Sequence, residues 1–546
     1  MPKLGAMWLG RALVAATVVA AAVSLLVQAD GMSGGELASS WQILDLHALQ
    51  SDPFGSLWYL HTQPPVHNLV VALAIFAPMP IVGTLFVLYI LTLVATGLLL
   101  HGLLVRWGLG PIAAGLVAAL AMANPNLLGT IHIASYEVPV AMFVVGSLWA
   151  AQRFLDEPRL RWLLVTSGAL TAGALTRSLL HPVWVFGILL VLVVARPLPG
   201  PHARRHVAAA LAIPFVLIAG WALKNEVVFG QATLSSWSGF NLQRGVVATM
   251  DRSDVERAVA DGDVSRLALE YPWGTLDDYE DFTGPCRPQH DHAAVDVPEK
   301  DPLRGVRIAN FNDECYLPLY EQASEDAVTL VRRYPGRYLT TRGPALEMSF
   351  RVSYAGYDKP STWMDGLYGP LLGKLHTGIP MDDWNLPLLP GGGDLQITIS
   401  LTLPIATAFV LGRAGVAAVR LVRAGWNGRH DWPTGEALWV LVGFTVAFVI
   451  VGGDLVEFGE NSRFRTTVDP LLVALPLASL VKTVKTVKGR RSRTPAPSGA
   501  SEALEAQLPE PASEPPAPPE PESPDPDVAD DGRPTTAARS PLGPPG

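Results

Sequence analysis

Ten runs of nearly uninterrupted apolar residues govern what this chain can fold into: Met7 to Gln28, Ile81 to Val105, Leu109 to Leu128, Ser135 to Gln152, Trp162 to Leu175, Val183 to Ala195, Val207 to Leu223, Leu395 to Leu411, Ala437 to Gly452 and Pro470 to Val481. An α-helix needs about 20 apolar residues to cross about 30 Å of hydrocarbon, and inside that slab every backbone polar group must be satisfied within the segment. The pattern predicts an all-α polytopic membrane protein, about ten transmembrane helices with a large mixed domain between spans 7 and 8. Composition agrees, with 49% hydrophobic and 16% charged residues. For the first run a cleavable signal peptide ending near Val27-Gln28-Ala29 is the competing reading. Asn124-Pro125-Asn126 interrupts the third run near its end.

The rest of the chain sorts into modules between these runs. Residues 1–223 form an N-terminal transmembrane module with a first loop at 29–66, residues 224–394 a polar, aromatic-rich domain, and residues 395–490 a C-terminal transmembrane module. Residues 491–546 are rich in Pro, Ala, Glu and Ser and bury too little apolar surface to offset their ordering entropy, so the tail is expected to be disordered. Arginine and lysine orient the spans. With the N-terminus inside, one side collects Arg106, then Arg153, Arg159 and Arg161, then Arg196, Arg204 and Arg205, then Arg413, Arg420, Arg423 and Arg429, then the basic cluster from Lys482 to Arg493. Both termini are then cytoplasmic, the polar domain and first loop face outward, and the last basic cluster meets anionic lipid. No basic face with interleaved aromatics suggests nucleic-acid binding.

Polar chemistry gathers on the outer side. The stretch Trp41 to Asn68 holds Asp45, three histidines (His47, His61, His67) and Pro64-Pro65. The prolines block helix continuation, and Val66 to Phe76 is apolar enough to lie along the interface or dip into it. Glu137 opens the second outer loop in SYEVP, Arg177 and His181 the third in LTRSLLHP, Lys224 and Asn225 begin the large domain, and Glu460, Asn461, Arg463 and Arg465 form GENSRFR. Ionisable groups near the membrane are costly and usually face a cavity or a polar partner. Arginine forks grip phosphate and a carboxylate takes a proton from a hydroxyl, so this set suits a phosphorylated substrate and an activated hydroxyl.

These residues carry a resemblance. LHTQPPVHN after Asp45, SYEVP, LTRSLLHPVW, LKNEVVFG leading into SSWSGFNL, and GENSRFRTTVDP resemble, in order and spacing from Trp41 to Pro470, the GT-C superfamily of membrane glycosyltransferases, in its protein O-mannosyltransferase and aminoarabinose-transferase (family 39-like) branch. The resemblance implies transfer of a sugar from a polyprenyl-phosphate donor to a glycan, lipid or protein acceptor at the outer face of the cell membrane, usually with inversion. It makes Asp45 the base, Glu137 the second acidic position, and Arg177, Lys224 and Arg463 ligands of the donor phosphate. His61, His181, Asn225, Glu460 and Asn461 complete the substrate-binding set. Two departures stand out: Leu46 follows Asp45 where relatives pair Asp with Glu, leaving Asp30 or Glu36 as substitutes, and Gln63 rather than His61 precedes the prolines.

Plainer readings compete. Asp45 and Glu137 suit helix caps, Arg177 and Lys224 suit interfacial snorkelling, Glu460 and Arg463 an i, i+3 pair, and Trp58, Tyr59 and Trp184 an interface belt. Cys286 and Cys315 both fall in the polar domain, which favours a disulfide over two reduced core thiols. No HExxH or compact His/Cys cluster supports a metal, although Asp45 and Glu137 leave room for a divalent cation. The alternative to a transferase is a binder or transporter of polyprenyl-linked glycan. Against a transporter stand the absence of an internal repeat and of ionisable residues at mid-membrane.

Overall fold

A computed structural model describes residues 2–28, 37–38, 40–131, 133–247, 249–300, 308–350, 379–381, 397–399, 402–426 and 432–491. Asp30, Glu36 and the tail from 492 lie outside the described residues, as does most of 351–396. Residues 1–486 form one compact unit, and 487–546 a second, of which only the last turn of a helix is described.

The long helices follow the apolar runs, and shorter ones lie between them. In chain order they are α1 (Pro2–Gln28), the short α2 (Leu46–Ser51) and α3 (Pro53–Trp58) of the first loop, α4 (Pro65–Ile75), α5 (Ile81–Arg106), α6 (Pro111–Met122), α7 (Glu137–Asp156), α8 (Leu160–Ala174), α9 (Pro182–Ala195) and α10 (Ala203–Phe229). Pro65, Pro111 and Pro182 each occupy a first-turn position, where a missing N–H costs nothing. The polar part contributes α11 (Ser238–Val247), α12 (Leu317–Arg333) and α13 (Arg342–Ser349), with a two-residue antiparallel ladder of β1 (Glu299–Lys300) and β2 (Ile308–Ala309). The chain then returns through α14 (Thr402–Trp426), α15 (Thr434–Ala447), α16 (Asn461–Thr466) and α17 (Asp469–Arg491). A π-helical turn, Phe448–Gly452, carries α15 on to Val456.

Among the described residues, seven helices are long and apolar enough to cross a membrane, and Pro65–Ile75, Pro111–Met122 and Pro182–Ala195 are shorter apolar helices. This is a helical membrane protein. The third expected span is short because α6 stops at Met122, where Asn124 starts a separate turn by accepting from Asn126 N at 2.9 Å. The eighth begins at Thr402 rather than Leu395 and runs on to Trp426, taking Arg413, Arg420 and Arg423 out of the expected connection and onto a helix. Glu436 on α15 makes that possible by meeting Arg413 at 2.8 Å and Arg420 at 2.9 Å. Similarly α10 ends only at Gly230, which is left-handed (φ 71°), so Lys224 and Asn225 belong to its final turns and not to the polar domain.

Helix crossing uses small residues. A Cβ added at Gly115 of α6 would stand 2.7 Å from Gly10 Cα of α1, so the two backbones touch there. The polar part has its own aromatic core of Trp237, Phe240, Trp273, Tyr279, Phe311 and Tyr316. Lys300 ties that part to the first loop through the carbonyls of Ser40 (2.8 Å) and Ile43. His61 ties it again, through Ser236 Oγ at 2.6 Å and Asn312 O at 2.9 Å. The loop is held from the membrane side as well: Leu44 N donates to Asn68 Oδ1 at 2.8 Å and Val66 N to Leu175 O at 2.9 Å. On α4, His67 and Asn68 are buried while Leu69 and Leu73 are exposed, an apolar outer face on a polar inner one.

Candidate functional site: an amphiphilic cavity

A cavity of about 830 Å³ lies where the first loop, α9, α10, the π-turn and α11 meet. Part of its lining is apolar, from Phe186 on α9, from Phe215, Ile218 and Ala222 on α10, and from Phe448 of the π-turn. The lining also includes Arg177, Arg244, Glu457 and Glu460, and the rings of Trp41, Trp237 and Trp273. A π-turn re-aims the carbonyls of a helix; here both of its ends, Phe448 and Gly452, border the cavity.

The charged groups form one chain. Glu137, fully buried in the first turn of α7, accepts from Arg177 at 3.0 Å and from Arg463 at 3.0 Å, and Ser135 Oγ also donates to it. Arg463 reaches on to Glu460 at 2.7 Å. Burial alone would lower the Arg463 pKa, but Glu137 and Glu460 together hold it above its usual value. Glu460 is correspondingly held down: burial would raise it, and Arg463, Arg244 and Arg177 outweigh that. Arg177 packs against Tyr136 (4.5 Å) and Phe464 (4.3 Å). A second pair, Arg244 with Glu457, closes at 2.5 Å.

Glu457 differs from the other two acids. Burial pushes its carboxyl up to about 7, although Arg244 pulls the other way. Its donors (Arg244 Nε at 3.0 Å, Arg244 Nη2 at 2.5 Å and Phe458 N at 2.9 Å) all go to Oε1. Oε2 therefore has no donor among the described residues. A carboxylate that titrates near neutrality, on a cavity wall with one oxygen unengaged, is chemically suited to exchange a proton with a bound hydroxyl.

Arg177, His181 and Glu460 line the cavity, and Glu137 and Arg463, which do not, are the ion partners of Arg177 and Glu460. Asp45 is elsewhere. Its Oδ1 accepts from Ala48 N at 2.9 Å as the N-cap of α2, and it is not part of the cavity wall. His61 is fully buried between Ser236 and Asn312, and burial lowers its pKa to about 3, so it is a neutral structural tie. Lys224 Nζ donates to Leu60 O at 2.5 Å above the Trp221 ring, Asn225 Nδ2 to Thr233 O at 2.7 Å, and Asn461 Nδ2 to Asp454 Oδ1 at 2.8 Å. These three brace loops. His181 caps α9 by accepting from Val183 N at 3.3 Å. Cys286 and Cys315 are disulfide-bonded. Among the described residues, no group of three or more His, Cys, Asp or Glu is arranged to hold a metal ion.

Sequence reasoning passed over Arg244, Glu457 and the three cavity tryptophans. Glu457 had a signal, three residues before Glu460 in VEFGEN at the end of an apolar run. Arg244 had none, because its position follows from how α11 lies against Val456 and Glu457. Comparison with known proteins finds no matching family model, no matching curated protein and no matching solved structure.

Proposed function

We propose that the protein is a membrane glycosyltransferase that moves a sugar from a polyprenyl-phosphate donor to a glycan, lipid or protein acceptor at the outer face of the cell membrane, with both termini cytoplasmic. The observation that carries this reading is the amphiphilic lining of the cavity, whose apolar helix residues suit an isoprenoid chain and whose guanidinium and carboxylate groups suit the phosphate and sugar. In this reading Arg177 faces the donor phosphate, with Glu137 and Arg463 holding it in place. The acceptor oxygen attacks the anomeric carbon as its proton passes to Glu457. The bond from that carbon to the phosphate oxygen breaks, and its electron pair leaves with the phosphate, inverting the centre. A phosphate leaves without acid catalysis, so preorganised cations supply most of the stabilisation. The base is then Glu457 and not Asp45, which is engaged as a helix cap.

A second reading, a binder of polyprenyl-linked glycan that performs no transfer, is favoured by the pairing of both cavity arginines with buried glutamates, Arg177 with Glu137 and Arg244 with Glu457. Release of polyprenyl phosphate by the purified protein in lipid vesicles separates the two. A panel of polyprenyl-phosphate sugars is supplied with a crude envelope acceptor. Release with one donor, lost in Glu457→Gln, supports the transferase; retention of a donor with no release overturns it in favour of the binder.

A further inference from the structure

Trp273 combines three features. Its backbone is left-handed (φ 90°), a region that bulky side chains avoid and that persists only where the surroundings impose it. Its indole N–H is buried and has no acceptor among the described residues. It is only 8% exposed, yet it lines the cavity. An unpaired buried donor and a strained backbone both cost free energy, and such costs gather where a ligand supplies the missing partner. Its ring is closely packed: Trp237 (5.3 Å), Phe311 (5.3 Å) and Phe240 (5.7 Å) all meet it edge to face.

Trp41, from the first loop, completes the arrangement. It stacks on Trp273 with ring centroids 5.5 Å apart and planes 20° from parallel, and it remains 44% exposed on the cavity wall. A large aromatic ring that is both oriented by a stack and left open is a surface for another flat apolar face. The same cavity is lined by Asn241, Arg244 and Glu457, an amide, a guanidinium and a carboxylate. The Arg244 guanidinium itself lies 5.6 Å from the Trp273 ring centre. Sugar rings present this combination in reverse: one face of C–H groups that packs on indole, and a rim of hydroxyls that pair with amides and charged groups.

We infer that Trp41 and Trp273, with Asn241, Arg244 and Glu457, form a subsite for a pyranose or furanose ring, in which Trp41 carries the ring face and the Trp273 N–H donates to a sugar oxygen. The inference rests on the reading of this cavity as a glycan-handling site, and it names what occupies the tryptophan end. Either the donor's sugar or a sugar of the acceptor presents the required chemistry.

The test is saturation-transfer NMR on the full chain in lipid nanodiscs. The probes are the methyl glycosides of mannose, glucose, galactose and arabinose and the matching sugar 1-phosphates, with a short peptide panel beside them. The expected result is saturation of the ring protons of at least one sugar, reduced about tenfold in Trp41→Ala and kept in Trp41→Phe. Trp41 is open enough that its truncation leaves the fold intact, which a thermal melt verifies; Trp273→Phe, which keeps a ring and removes the N–H, gives a second, independent reduction. Saturation of the 1-phosphates alone assigns the subsite to the donor, and saturation of the neutral glycosides assigns it to the acceptor; both support the inference. No saturation by any sugar, saturation indifferent to Trp41→Ala, or saturation of peptides instead overturns it. Failure here is separable from failure of the transferase reading. Polyprenyl phosphate release without Trp41-dependent saturation removes the subsite and keeps the enzyme, whereas saturation without release keeps the subsite and removes the enzyme.

Discussion

Asp45 separates a capping role from a catalytic one, because two substitutions pull the roles apart. Its side chain accepts from Ala48 N at 2.9 Å, and its carbonyl accepts from Leu49 N at 3.0 Å, so it closes the first turn of α2. Asparagine caps as well as aspartate, whereas alanine at such a position costs about 0.5–2 kcal/mol. Charge adds a smaller term. Lys300 is buried against the same loop, its pKa brought down to about 7 by burial, and Asp45 is the group that opposes that fall. Asp45 is partly exposed, so screening discounts the loss of its charge in asparagine to a few tenths of a kcal/mol. Asp45→Asn should therefore melt within about 0.5 kcal/mol of the wild type and Asp45→Ala about 1 kcal/mol below it. Polyprenyl phosphate release per folded molecule is expected to be unchanged in both. The assays are thermal melts followed by tryptophan fluorescence in lipid nanodiscs, with release measured at a temperature where both variants are folded. Loss of release in Asp45→Asn with a normal melt refutes the reasoning, because a neutral residue that still caps the helix then fails only as a base.

Three further outcomes follow from the same geometry. Glu457→Gln should lower the transfer rate by about 10²–10⁴, the usual contribution of a positioned base; in the wild type the rate should rise with pH up to about 7 and level off above, as the Glu457 carboxyl ionises. The folded protein holds a proton on Glu457 that the unfolded chain has released between pH 4.5 and about 7, so this group's share of stability falls as pH rises across that window, and a pH series of melts with and without Glu457→Gln checks the sign. Glu137→Gln leaves Arg177, which is 4% exposed, without its carboxylate, a loss of about 3–5 kcal/mol; the double variant with Arg177→Met should recover part of it, and a recovery of zero argues against their coupling. Reducing the Cys286–Cys315 bridge, which spans 29 residues, should lower stability by about 3–4 kcal/mol, read as a drop in melting temperature with reductant.

What the sequence made legible and what it hid divide along a physical line. The helices were legible because the bilayer imposes one rule on every residue of a span, and α5 stops at Arg106, beside the expected Val105. Span ends were less legible wherever a distant partner offset a charge: Glu436 lets α14 absorb Arg413 and Arg420, and Leu60 O receives the Lys224 ammonium on α10. The same limit governs the site. Arg177, Glu460, Arg463 and Glu137 stood out because an ion near a membrane needs a partner, and in the structure they are linked to one another as ion pairs. Asp45 drew a catalytic reading because a carboxylate that caps a short helix and one that takes a proton read identically in the chain; the structure shows the cap. Glu457 drew none for the converse reason. Its raised carboxyl pKa comes from burial, against the pull of Arg244, 213 residues earlier, and the orphan N–H of Trp273 comes from the packing of four aromatic rings. Chemistry created by tertiary burial leaves only composition in the sequence, so the residues to vary first are those the fold makes unusual: Glu457, Trp273 and the open ring of Trp41.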